Sequence, residues 1–178
     1  ELREQGYGVS AVGTESKATA AALKADGPLP DPTWGYDVFR PWDLKPAPCQ
    51  TTCSGAVDAE GNPVSLKQWY DALAAAHPTL IKRVVYGTSL LGQELVAYKV
   101  TTNANTTADG AKPGVMYHAA QHAREWISVE VVRRLFDYVI SNRANDESGI
   151  PAILDSTELW FVPVFNVDGY DYTFQTRA

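Results

Sequence analysis

Hydrophobic and polar positions recur with two different periods along this 178-residue chain, and the changes of period divide it into elements. From Ser65, "SLKQWYDALAAAH" spaces Leu66, Trp69, Tyr70, Leu73 and Ala74 three and four apart, the period of a helix with one buried stripe. Ser65 stands as its N-cap and Gln68, three residues on, completes a capping-box pattern. Pro78 stops the helix, because the residue before a proline is pushed out of helical geometry. "IKRVVYGTS" and "QELVAYKVT" are β-rich runs joined by "LLG" and predict a hairpin. "GVMYHAA", 114–120, predicts a short buried strand. "EWISVEVVRRLFDYVISN" carries Trp126, Val129, Val132, Leu135, Phe136 and Val139 on one helical stripe, with Glu125 in its first turn. "IPAILDS" reads as a short helix and "ELWFVPVF" as a buried strand; "NVDGYDYTFQTRA" starts as a turn. The order α, β, β, β, α, α, β with apolar strands predicts an α/β fold, a mixed β-sheet flanked by helices.

Residues 1–63 have another character. "GPLPDPTWG", "RPWDLKPAP" and "AEGNP" break any period, so this part reads as a Pro/Gly-rich extension and linker ahead of a domain at 64–178. Within it, "SKATAAALKA", 16–25, is rich in helix formers, and "YGVSAV" has the makings of a short strand. "TWGYDVFRPWDL" concentrates aromatic residues without a period; residues 33–44 are expected to pack as an extended segment on the domain that follows, a loose linker being the alternative.

Composition narrows the function. Hydrophobic residues make up 45% and charged residues 20%, which supports a packed core. A net charge of −6 argues against a nucleic-acid partner, which would want a basic face. No run approaches the ~20 apolar residues of a membrane span, so no membrane partner is expected. The chain begins at Glu1 without Met, as a processed or excised piece would.

The chemistry concentrates in "QHAREW", 121–126, where a strand gives way to a helix. Zinc accepts imidazole nitrogen and carboxylate oxygen. His122 and Glu125, three apart, can converge on one ion if the first closes a loop and the second opens a helix. Open α/β sheets keep ligand sites at such strand ends. A bare H-x-x-E also occurs as a surface histidine beside a helix-starting glutamate, so the spacing alone leaves both readings open. Of the other histidines, His77 at the end of an alanine-rich helix reads as a partner of the helix C-terminus, and His118 as a hydrogen-bonded core residue.

"HAREW" at 122–126 resembles the signature of the zinc metallocarboxypeptidases of the carboxypeptidase A type. "YDVFRPWDL", "AAAHPTLIKRVVYGTSLLGQELVAYKVT", "QHAREWISVEVVRRL" and "STELWFVPVFNVDGYDYTF" resemble, in order, stretches of its secreted bacterial members. The resemblance implies a zinc-exopeptidase-like fold, incomplete without a downstream half, with 64–178 as the N-terminal part of the catalytic domain. It implies that His122 and Glu125 are two of three ligands to one zinc ion, the third coming from beyond residue 178 along with the general base. No catalytic group is then expected in this chain, Arg124 helps hold the peptide, and Asn166, Asp168 and Gly169 form a structural turn in which Gly169 takes φ > 0. The remainder of the enzyme, possibly a separate chain, is the expected partner. The function implied is hydrolysis of C-terminal residues from peptides by metal-activated water. A zinc amidase acting on cell-wall peptides and a non-catalytic zinc-binding fragment are the alternatives. The family's secreted character favours a disulfide between Cys49 and Cys53 in "CQTTC", against two free thiols.

Overall fold

The computed structural model describes residues 39–43 and 65–174. The helix expected at 16–25, the strand at "YGVSAV" and the pair Cys49 and Cys53 lie outside the described residues.

Helix α1 (Leu66–Ala76) begins as its sequence dictates. Ser65 Oγ accepts the Gln68 N–H at 3.1 Å, and Gln68 Oε1 accepts the Ser65 N–H at 3.2 Å. Strands β1 (Ile81–Thr88) and β2 (Glu94–Val100) form the expected antiparallel hairpin, with an irregularity between Val85 and Gly87. Strand β3 (Gly114–His118) leads to α2 (Trp126–Ser141), a 3-10 turn (Asp146–Ser148), α3 (Ile150–Ser156), β4 (Glu158–Val162) and α4 (Val167–Tyr172). The sheet order is β1-β2-β4-β3, with β4 antiparallel to β2 and parallel to β3. The sheet is therefore mixed, and α2 and α3 lie in the crossover that a parallel pair needs.

One sheet face makes the core. Tyr98 of β2 stacks on Tyr70 of α1 at 5.0 Å, and Phe136 of α2 meets Tyr70 at 4.8 Å and Phe161 of β4 at 5.0 Å. All four rings are fully buried, so these contacts join α1, α2, β2 and β4 into one unit. On the other face Lys99 is fully buried, its Nζ donating to Thr107 O at 2.7 Å and Asp109 Oδ1 at 2.6 Å. A buried ammonium needs such partners, and the 101–113 loop provides them.

Residues 39–43 lie across two helices. The carbonyls of Pro41 and Trp42 accept the N–H groups of Leu66 and Lys67, each at 2.9 Å, satisfying first-turn donors of α1. The Asp171 carboxylate accepts the N–H groups of Trp42 at 2.6 Å and Asp43 at 3.2 Å. Trp42 is fully buried.

Strand β3 differs from expectation. It was expected to be buried, and instead three of its residues in succession, Gly114, Val115 and Met116, are exposed, with Met116 at 62%. The reason is its place: it is an edge strand, paired only to β4 among the described residues. It also stops at His118 rather than 120, because Ala120 turns out of β geometry with φ 52.

Candidate metal centre

The site grows from the C-terminal end of β3. Beyond the strand, Ala119 N–H donates to Val162 O at 3.2 Å, Phe165 N–H to Ala119 O at 2.8 Å, and Asn166 N–H to Ala120 O at 3.1 Å. The exits of the two parallel strands thus stay joined where the chain must turn. Ala120 makes the turn in the left-handed region, which costs an L-residue roughly 1–2 kcal/mol and needs support from its surroundings. The chain then doubles back, with the Glu125 N–H donating to His122 O at 3.0 Å.

Helix α2 begins at Trp126, which makes Glu125 its N-cap rather than a first-turn residue. The Glu125 side chain makes no capping bond to its own helix. It turns back instead, placing Oε1 3.1 Å from His122 Nδ1. The two side chains are 76% and 50% exposed, so the space beyond them is open to further donors. Two donors each about 2.1 Å from a tetrahedral ion stand about 3.4 Å apart. The observed separation is close to that span, and the nitrogen–oxygen donor set is one zinc accepts. No group of three or more His, Cys, Asp or Glu able to hold a metal occurs among the described residues. Two candidate donors are together here, and no third stands beside them among the described residues.

Arg124 is exposed in the turn between the pair. Trp126 anchors the next position: its ring stacks on Phe174 at 4.5 Å, approaches Phe39 at 5.3 Å, and its Nε1 donates to Thr173 Oγ1 at 2.8 Å. His118 is not a core residue. It is exposed at the end of β3, with Nδ1 2.5 Å from Gln121 Nε2. His77 is the C-cap of α1 through its backbone N–H, which donates to Leu73 O at 3.0 Å; partial burial, and then the nearby Arg143, push its imidazole below its ordinary range.

The stretch "NVDGY" opens α4 rather than a free turn. Asn166 is the N-cap, its Oδ1 accepting the Gly169 N–H at 3.0 Å. Gly169 has no positive φ, contrary to expectation. It is needed for space: a Cβ there would stand 2.7 Å from Asn166 Nδ2 and 2.8 Å from the capping oxygen. Asp168 reaches the hairpin turn, where its carboxylate accepts Ser89 Oγ at 2.7 Å, Leu91 N–H at 3.0 Å and Gln93 Nε2 at 3.1 Å.

Two residues of the site escaped the sequence reading, Ala120 and Ser128. Alanine carries no signal for a left-handed turn, and a serine three residues into a helix reads as filler.

The family model for zinc carboxypeptidase matches residues 66–178. Carboxypeptidase B of Bos taurus is 30% identical over 113 residues, covering 64% of this chain and 26% of that protein. A zinc carboxypeptidase of Saccharothrix mutabilis subsp. capreolus is 31% identical over 102 residues, 57% of this chain and 23% of that protein. The inactive metallocarboxypeptidase ECM14 of Saccharomyces cerevisiae is 32% identical over 110 residues, 62% of this chain and 25% of that protein. The crystal structure of thrombin activatable fibrinolysis inhibitor superposes with a TM-score of 0.53 at 27% identity, covering 61% of this chain and 26% of that one. The chain spans about a quarter of the length of these curated relatives. With the family model covering most of the chain and the mixed sheet shared with a solved structure, this protein belongs to the zinc carboxypeptidase family.

Proposed function

We propose that this chain provides two of the three zinc ligands, His122 and Glu125, of an exopeptidase that removes C-terminal residues from peptides. The observation that carries the proposal is the convergence of His122 Nδ1 and Glu125 Oε1 to 3.1 Å at a strand-to-helix junction, in a chain of this family. When bound, zinc supplies Lewis-acid activation of water and polarisation of the scissile carbonyl. The chain's own residues bind and orient. His122 and Glu125 present one nitrogen and one oxygen to the same point, and their exposure leaves room for a third ligand and for water. Arg124, with a planar fork suited to carboxylates and carbonyl oxygens, holds the peptide beside them. The third ligand and the general base come from beyond residue 178.

That remainder of the enzyme is also the proposed partner. The open edge of β3 and the exposed Val115, Met116, Ile127 and Val131 offer it a sheet edge and an apolar surface to cover. A denaturing gel of soluble, active enzyme checks this: a single band at the mass of this chain alone refutes it. By the same resemblance the enzyme acts outside the cell, where Cys49 and Cys53 are oxidised.

The test of function is metal analysis together with turnover of peptides bearing free or amidated C-termini. Zinc retained by the full polypeptide, lost in Glu125→Ala, and cleavage confined to free C-termini are expected. Equal cleavage of amidated peptides points to an amidase. Zinc retention without turnover favours a non-catalytic role, for which the inactive yeast relative is the reason to look.

A further inference from the structure

The loop between β3 and α2 has a neck, and a single hydroxyl closes it. Ser128 Oγ donates to the Glu125 carbonyl oxygen at 2.7 Å and accepts the Ala120 N–H at 3.3 Å. Ala120 is where the chain leaves the strand direction, and Glu125 is the last residue before α2. His122 lies inside the span so closed, and Glu125 forms one of its ends. A serine hydroxyl has one donor and two acceptor sites, enough to serve both ends at once.

An ordinary serine in a first helical turn would bond back to a carbonyl of its own helix and nothing more. Here the second contact falls on a fully buried alanine in left-handed geometry. The Ala120 carbonyl is already held by the Asn166 N–H at 3.1 Å, and Ser128 takes the N–H. Both polar groups of the unfavourable residue are thereby tied, one to β4's exit and one to α2.

We propose that Ser128 is a positioning residue for the His122–Glu125 pair: by spanning the neck from Ala120 to Glu125 it sets the loop that brings the two side chains to 3.1 Å. Its consequence for zinc rests on the metal reading above; its consequence for the loop does not. Outer groups that orient metal ligands typically contribute 10–100-fold to metal affinity. Ser128 is expected to fall in that range without touching the ion.

The test uses the full polypeptide and two readouts. In Ser128→Ala, zinc affinity, measured by competition with a chromophoric chelator, falls by about 10–100-fold. In the zinc-free protein, trypsin nicks the chain after the exposed Arg124 faster than in the parent, while the thermal midpoint falls by only a few degrees, the cost of one stranded buried N–H. Ser128→Thr, which keeps the hydroxyl, stays close to the parent in both readouts. If Ser128→Ala does not fold, Ala120→Gly/Ser128→Ala is compared with Ala120→Gly, since glycine takes the left-handed turn unaided. Weaker zinc binding and faster nicking in the double variant support the proposal. Parent-like nicking in the variant lacking the hydroxyl overturns it, as does a Ser128→Thr protein as impaired as Ser128→Ala. Absence of zinc binding in the parent sinks the metal reading, and the nicking rates then decide the role of Ser128 by themselves.

Discussion

Arg133→Met leaves the Glu130 carboxylate buried without its bidentate partner. The two residues lie three apart on α2, each 1% exposed, and Arg133 Nε and Nη2 donate to Glu130 Oε2 at 3.0 and 2.8 Å. On a helix surface such a pair would contribute about 0.2–0.5 kcal/mol. In the interior the cost of removing one partner is roughly 3–5 kcal/mol, because the carboxylate left behind is buried and has lost this counter-charge. Arg134 Nε remains 3.9 Å from the same oxygen, so the lower end, about 3 kcal/mol, applies. With a urea dependence of about 2 kcal/mol per molar, the unfolding midpoint drops by about 1.5 M. Glu130→Leu/Arg133→Met removes both charges and should lose under about 1 kcal/mol, since apolar replacement of a whole buried pair is close to neutral. The assay is urea unfolding followed by tryptophan fluorescence, for which Trp69 reports directly, its ring being 5.5 Å from the Arg133 guanidinium. Far-UV circular dichroism checks that both probes give one transition. A single variant that shifts by less than about 0.5 M, or a double variant that loses as much as the single one, refutes the reasoning.

Two further outcomes follow from named contacts. Asp168→Ala strands Gln93 Nε2 in a side chain only 5% exposed and frees the hairpin turn, at a cost of about 1–3 kcal/mol; thermal unfolding measures the loss, and proteolysis within residues 89–93 shows that it is local. Burial pushes the Asp171 carboxyl up to about 7, against the opposing pull of the Trp42 and Asp43 N–H groups. The folded state then holds a proton that the unfolded chain releases near pH 4, so stability falls as pH rises from about 4 to about 7 and levels off above. Asp171→Asn should flatten that slope; denaturant midpoints measured across this range check it, and an unchanged slope contradicts the assignment.

Local signals in the sequence were enough for most of the fold. The capping box at Ser65 and Gln68, the Trp69–Tyr70–Leu73 stripe and the "LLG" hairpin each depend on neighbours within a few residues, so period and cap chemistry determined them. The pairing of His122 with Glu125 was readable for the same reason, being a three-residue matter. What escaped depends on partners far along the chain. β3 has strand composition, but whether it lies at an edge is decided by which strands pair beside it, and β4, forty residues on, takes only one side. Gly169 looks like a turn glycine until Asn166 caps the helix and fills the space a Cβ would need. Ala120 carries no mark of its left-handed turn, because Asn166 and Ser128 hold it there from other elements. The sequence by itself thus determined the elements and set His122 and Glu125 three apart at a strand-to-helix junction. Only the tertiary structure decided how the loop holds them together, because strain at one residue persists only where distant groups oppose its relief.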